Sequence, residues 1–214
     1  MPSHPAPAEV AARFLAAGIS FIPIRPDGSK APAVAEWKPY RERLPTPGEV
    51  ERWYGAGEKN GIAQVAGAGS RNLHIWDFDD WETGKQVWYD LQELDPALAR
   101  ALVIVKTPRP GLQMTALCPA AVPGNRVLAS WKKGAAGPDG QPVKRALIET
   151  RGEGGYALTV GCPPECHPSG RCYQMVQGEV DRPPLLSPDQ LSLLNGLCKA
   201  YDEVPEETAW VRTD

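Results

Sequence analysis

The apolar stretch Leu73-His74-Ile75-Trp76-Asp77-Phe78-Asp79 constrains this chain more than any other, because it reads as a β-strand yet carries two aspartates two residues apart. Side chains alternate across a strand, so Asp77 and Asp79 share one face with their carboxylates roughly 6–7 Å apart. Such a pair repels itself, and a divalent cation that prefers oxygen, Mg²⁺ or Mn²⁺, relieves the repulsion while both acids stay ionised. The pattern fits metal-dependent chemistry on a phosphate. The plainer alternative is a turn or helix cap at a strand end, a form that Asp80 followed by Thr83 also takes.

The 214 residues suffice for one substantial core or two small lobes, and 42% hydrophobic with 23% charged residues is ordinary for a globular protein. The 23 prolines and 21 glycines call for long, stiff loops. No stretch approaches the roughly 20 apolar residues of a membrane span. The opening Met1-Pro-Ser-His-Pro also lacks the layout of a signal peptide, so a cytoplasmic location is expected. Five cysteines form an odd set, which argues against a secreted disulfide framework. Cys162, Cys166, His167 and Cys172 offer four soft ligands, but their spacing matches no common zinc module and neighbouring prolines stiffen them; packed thiols are expected instead.

A net charge of −3 counts against a polynucleotide partner. Cations are nevertheless grouped at Lys30, Lys38, Arg41 and Arg43, at Lys106 and Arg109, at Lys132, Lys133, Lys144 and Arg145, and at Arg151 and Arg171. Local patches can grip a phosphate backbone even when acids elsewhere cancel the sum. For any one cluster the alternative is a solvated face.

Residues 8–17 show helical spacing with Gly18 as a stop, followed by a buried strand at Ile19 to Ile24. Arg25 to Pro32 must then be a loop that projects Lys30. Thr46-Pro-Gly-Glu49 opens a second helix with a capping box. Gly61 to Ala66 and Asn72 to Asp79 read as the two strands of a hairpin, followed by a helix over 83–94 that Asp95-Pro96 closes. Further strands are expected at 102–107, 112–117, 126–131, 143–150, 156–160 and 171–176. A proline-rich linker from Gly178 leads to a last helix opened by Ser187-Pro-Asp-Gln190.

Glu149 arrives late in the 143–150 strand, as Asp77 and Asp79 do in theirs. If those strands are neighbours, three carboxylates meet, enough for two metal ions. Arg151-Gly-Glu-Gly-Gly155 follows directly; its glycines permit close backbone approach and Arg151 can address a phosphate, a tight turn with an exposed arginine being the alternative. His74 points to the other side of its strand from Asp77, as a packed or surface histidine, and His4 belongs to a terminal tail.

The order of motifs resembles the archaeo-eukaryotic primase superfamily, in particular the primase-polymerase domains of phages and plasmids. The resemblance runs from about Ala11 to Tyr173. It rests on Phe21-Ile-Pro-Ile-Arg-Pro-Asp-Gly-Ser-Lys-Ala-Pro32 before Trp37, Gly61-Ile-Ala63, and the stretch ending at Asp79. Later fragments are Lys106-Thr-Pro-Arg-Pro-Gly111, Gly124-Asn-Arg-Val-Leu-Ala129, Ile148-Glu-Thr-Arg-Gly-Glu-Gly-Gly-Tyr156 and His167-Pro-Ser-Gly-Arg-Cys-Tyr173.

The resemblance implies an α+β primase-polymerase fold, an N-terminal α/β lobe packed with an RNA-recognition-motif-like mixed or antiparallel sheet. It assigns residues 1–180 to the catalytic domain, divided near 60–70, and 181–214 to a linker and helix that could lead into a further domain. The implied activity is a template-dependent DNA primase/polymerase, a nucleotidyltransferase using two Mg²⁺ or Mn²⁺ ions at Asp77, Asp79 and Glu149. Lys30, Arg109, Gln113, Arg151 and His167 would bind the nucleotide, and Lys132, Lys133 and Arg145 the DNA. Gln113 stands where the family has a triphosphate-binding histidine, and it can donate a hydrogen bond but carries no charge. The implied partners are single-stranded DNA, dNTP or NTP, and a helicase, in a bacterial, phage or mobile-element setting. Two alternatives stay open: a non-catalytic or impaired primase-like domain that binds nucleic acid or nucleotide, and a two-metal nuclease.

Overall fold

The computed structural model describes residues 4–136 and 142–203, with side chains outside 132–144. Helix α1 (Pro7–Ala17) ends where Gly18 turns left-handed at φ 68°, as its spacing requires, and delivers the chain into β1 (Phe21–Ile24). Helix α2 (Pro47–Tyr54) starts at a complete capping box, in which the Thr46 side chain accepts from the Glu49 N–H and Glu49 answers at the Thr46 N–H. Strands β2 (Gly61–Val65) and β3 (Leu73–Phe78) follow, then α3 (Trp81–Leu94). Asp80 caps α3 by accepting from the Thr83 N–H at 2.8 Å, so Asp80 has a capping role that Asp77 and Asp79 do not share.

Asp95-Pro96 closes α3 as expected, with Asp95 as its C-cap, and a further helix follows at once. The Asp95 carboxylate accepts from the Leu98 N–H and Pro96 occupies the first turn, where a missing N–H costs nothing, so α4 (Pro96–Ala101) begins there. Strands β4 (Val103–Thr107), β5 (Gly111–Leu117), β6 (Arg126–Ala136), β7 (Pro142–Arg151), β8 (Tyr156–Leu158) and β9 (Gln174–Gln177) complete the β structure, and α5 (Pro188–Ala200) opens on a Ser187–Gln190 capping box.

Two antiparallel sheets result, one ordered β1-β2-β8 and the other β6-β7-β3-β5-β4-β9. The expected hairpin of β2 and β3 does not form. Each strand already has neighbours on both edges, β1 and β8 for β2, β5 and β7 for β3, and the intervening turn carries positive φ at Gly67, Arg71 and Asn72. That turn hands the chain from one sheet to the other, leaving a single bridge between Gly67 and Leu73.

Alternation along β3 builds two cores. Leu73 and Ile75 face the small sheet and pack with Phe14, Phe21, Ile62 and Val65, whereas Trp76 and Phe78 face α3 and α5 and pack with Val87, Leu91, Met114 and Leu194. The large sheet is therefore covered on both faces, and β3, at its centre, is buried except at Asp77.

Candidate active site

The register of the large sheet sets Asp77 opposite Gln113 on β5 and opposite Glu149 on β7. Residues directly opposite share a face with Cβ atoms roughly 4.5–5.5 Å apart, so Glu149, Asp77 and Gln113 form one row across three strands. Asp79 lies just past the end of β3, its N–H donating to the Leu147 carbonyl at 2.9 Å and its side chain exposed at the mouth of the cleft. Gly111 starts β5 so close to this edge that a Cβ would stand 2.4 Å from the Phe78 carbonyl oxygen.

Arg151 spans two of the acids, its Nη2 lying 2.6 Å from Glu149 Oε2 and 3.5 Å from Asp77 Oδ2. Burial pushes the Asp77 carboxyl above its ordinary range, and the charges of Asp79 and Glu149 push the same way, against Arg151 and a hydrogen bond from Gln113. Gln113 Oε1 is buried without a partner.

The facing wall comes from the small sheet and its loops. Lys30 holds a left-handed backbone at φ 59°, its carbonyl accepting from the Tyr156 hydroxyl at 3.3 Å, and its loop rests against Pro168 through Gly28. Burial lowers the Lys30 ammonium pKa, opposed by Asp77 and Asp79. His167 is buried; its Nδ1 accepts the Ser169 N–H at 3.1 Å, which leaves Nε2 to carry the proton of the neutral ring. Burial lowers its pKa, and Lys30 and Arg109 add to that effect.

Two adjoining cavities occupy the cleft and share Lys30, Asp77, Gln113 and Tyr173. The larger, about 340 Å³, reaches Arg151, Asn125 and Tyr156. The smaller, about 80 Å³, reaches Asp79, Arg109 and His167. The structure thus gathers eight expected site residues, Lys30, Asp77, Asp79, Arg109, Gln113, Glu149, Arg151 and His167, around one cleft. Arg145 is exposed on β7 and lines neither cavity. The side chains of Lys132 and Lys133 lie outside the described residues. Reasoning from spacing misses Asn125, Tyr156 and Tyr173, although each stands in a motif fragment that carries the resemblance.

The donor set suits a hard divalent cation. It consists of carboxylate oxygens beside the orphaned Gln113 Oε1, with no sulfur or imidazole in the row. Among the described residues, no group of three or more Asp, Glu, His or Cys side chains is placed to hold a metal ion. The Arg151 guanidinium stands between two of the acids, and a cation entering there would displace it. Cys162 and Cys166 are buried in the core, Cys162 Sγ donating to the Ile62 carbonyl at 3.0 Å.

No curated protein matches the chain. The model of one family, described as bifunctional DNA primase/polymerase, N-terminal, matches residues 11–190 and so takes in both sheets and every cleft residue named above. The chain belongs to that primase/polymerase family.

Proposed function

We propose that the chain is a template-dependent nucleotidyltransferase that makes or extends primers on single-stranded DNA. The observation that carries this reading is the row Glu149–Asp77–Gln113 with Asp79 at its end, facing Lys30 across the cleft, with Arg109 beside them. Support for an RNA-recognition-like core comes from the antiparallel order β7-β3-β5-β4, with α3 following the central strand.

Asp77, Asp79 and Glu149 would hold two Mg²⁺ or Mn²⁺ ions, which when bound acidify the attacking 3′-hydroxyl and stabilise charge at the α-phosphate. Lys30, Arg109 and the Nε2–H of His167 hold the triphosphate in the smaller cavity. Arg151, released from the acids, pairs with phosphate oxygens, and the Gln113 amide adds a neutral donor. Template contacts fall to Arg145, Lys132 and Lys133, in line with single-strand binding by a basic track.

Primer extension on a single-stranded template with labelled dNTP and Mn²⁺ or Mg²⁺ tests the reading, and incorporation lost in Asp77→Asn is the expected result. Gln113 motivates a second reading, a domain that binds nucleotide or a nucleic-acid end without joining nucleotides. Retained DNA binding with no incorporation by the unaltered chain would favour it. Degradation of labelled DNA without dNTP would indicate a nuclease instead.

A further inference from the structure

The reverse face of the catalytic sheet holds a separate cavity of about 280 Å³. Leu191, Asn195 and Lys199 of α5 close it over β3, β6 and β7, and all three lie past the last residue matched by the family model. Its walls are apolar at Val122, Pro123, Leu128 and Leu191. No acid lines it, and neither Arg126 nor Lys199 takes part in any ion pair among the described residues. His74 also lines it, only 3% exposed, with a buried Nδ1 that has no hydrogen-bond partner. Asn195 Oδ1 accepts the Trp76 indole N–H at 2.9 Å, which leaves its amide NH₂ as a donor.

A chamber with apolar walls, two unpaired cations, a spare amide donor and an orphaned imidazole suits a flat apolar body that carries an anion. We infer that it is a second nucleotide site, taking one nucleoside 5′-phosphate with the base against Val122, Pro123 and Leu191 and the phosphate between Arg126 and Lys199. The volume admits a single mononucleotide. The choice of a nucleotide over other aromatic anions rests on the polymerase reading, which puts nucleotides and strand ends in the protein's hands.

The two sites share their supports. Strand β3 contributes His74 to the rear and Asp77 to the cleft, and β7 contributes Thr150 to the rear and Arg151 to the cleft. Between Pro123 at the rear and Asn125 at the front, the chain is locked onto the turn that follows β7. The Glu153 N–H donates to the Pro123 carbonyl at 3.0 Å, and a Cβ on Gly152 would lie 1.9 Å from that oxygen.

Equilibrium dialysis of the full chain tests the site, with labelled dAMP and a 5′-phosphorylated oligonucleotide as separate probes, in EDTA and with Mn²⁺. The unaltered chain should bind two nucleotides per chain with Mn²⁺. Arg126→Glu with Lys199→Glu should remove one and weaken the rear affinity at least tenfold, and Leu191→Trp, which fills the chamber without touching charge, should do the same. Lys30→Ala with Arg109→Ala should remove the other. Saturation by free dAMP assigns the site to nucleotides in solution, and saturation by the oligonucleotide alone assigns it to a strand end. If neither rear variant, each folded by circular dichroism, lowers binding of either probe, the inference is overturned while primer extension by the cleft stands. If the rear variants alone abolish binding and Lys30→Ala with Arg109→Ala changes nothing, the inference holds and the assignment of the cleft falls.

Discussion

Arg151→Ala is the most searching perturbation of the cleft, since it removes the cation that, among the described residues, bridges two of its acids. Its ion pairs with Glu149 and Asp77 join side chains 27%, 33% and 23% exposed, a setting in which each contact is worth about 0.5–1 kcal/mol after screening. Without Arg151, Asp77 and Glu149 face one another across adjacent strands with no guanidinium bridging them. The loss should total about 1–2 kcal/mol, a fall of roughly 2–4 °C in melting temperature for each kcal/mol in a chain of this size. A divalent ion that binds where the guanidinium stood reverses the effect, contributing about 1.4 kcal/mol at ten times its Kd. Thermal melts in EDTA and in graded Mn²⁺ measure both terms. The variant should melt lower than the unaltered protein in EDTA and rise more steeply with Mn²⁺. A variant that melts lower and ignores Mn²⁺ would refute the idea that these carboxylates form a cation site.

Asp77→Asn and Asp79→Asn should each abolish nucleotide incorporation, while circular dichroism shows an unchanged fold; loss of secondary structure would contradict this. Gln113→His should lower the apparent KM for dNTP by restoring a donor able to carry charge, and an unchanged or higher KM counts against a triphosphate contact at that position. Burial holds the His74 imidazole down to about 4, against 6.5 for the free group, so the native state takes up fewer protons than the unfolded chain between these values. Stability should therefore be complete above pH 6.5 and drain away as pH falls through about 4, by about 3 kcal/mol. Urea melts across that range check the slope, which His74→Gln should flatten.

Strand periodicity made β3 and β7 legible, and with them the late positions of Asp77 and Glu149 in their strands, because a two-residue repeat is local information. Helix caps were equally plain: Thr46 and Glu49, and Ser187 and Gln190, pair as their spacing demands. The pairing of strands was not legible. Gly61 to Ala66 and Asn72 to Asp79 sit as a hairpin would along the chain, yet β2 takes β8 as its second partner from some 90 residues away, a choice made by tertiary packing. Asn125 and Tyr156 were hidden for the same reason, since only the fold brings their loops to the acids.

The chain's passage from one sheet to the other between β2 and β3 has a mechanical corollary. The acids ride on one layer, while Lys30 and Tyr156 hang from the other, so the width of the gap is governed by the side chains sandwiched between them, Val65, Ile75 and Val105 among them. Shaving or enlarging those spacers, far from any reacting atom, would retune how snugly a substrate is gripped, which makes the filling between the layers a gauge block for the machinery at its rim.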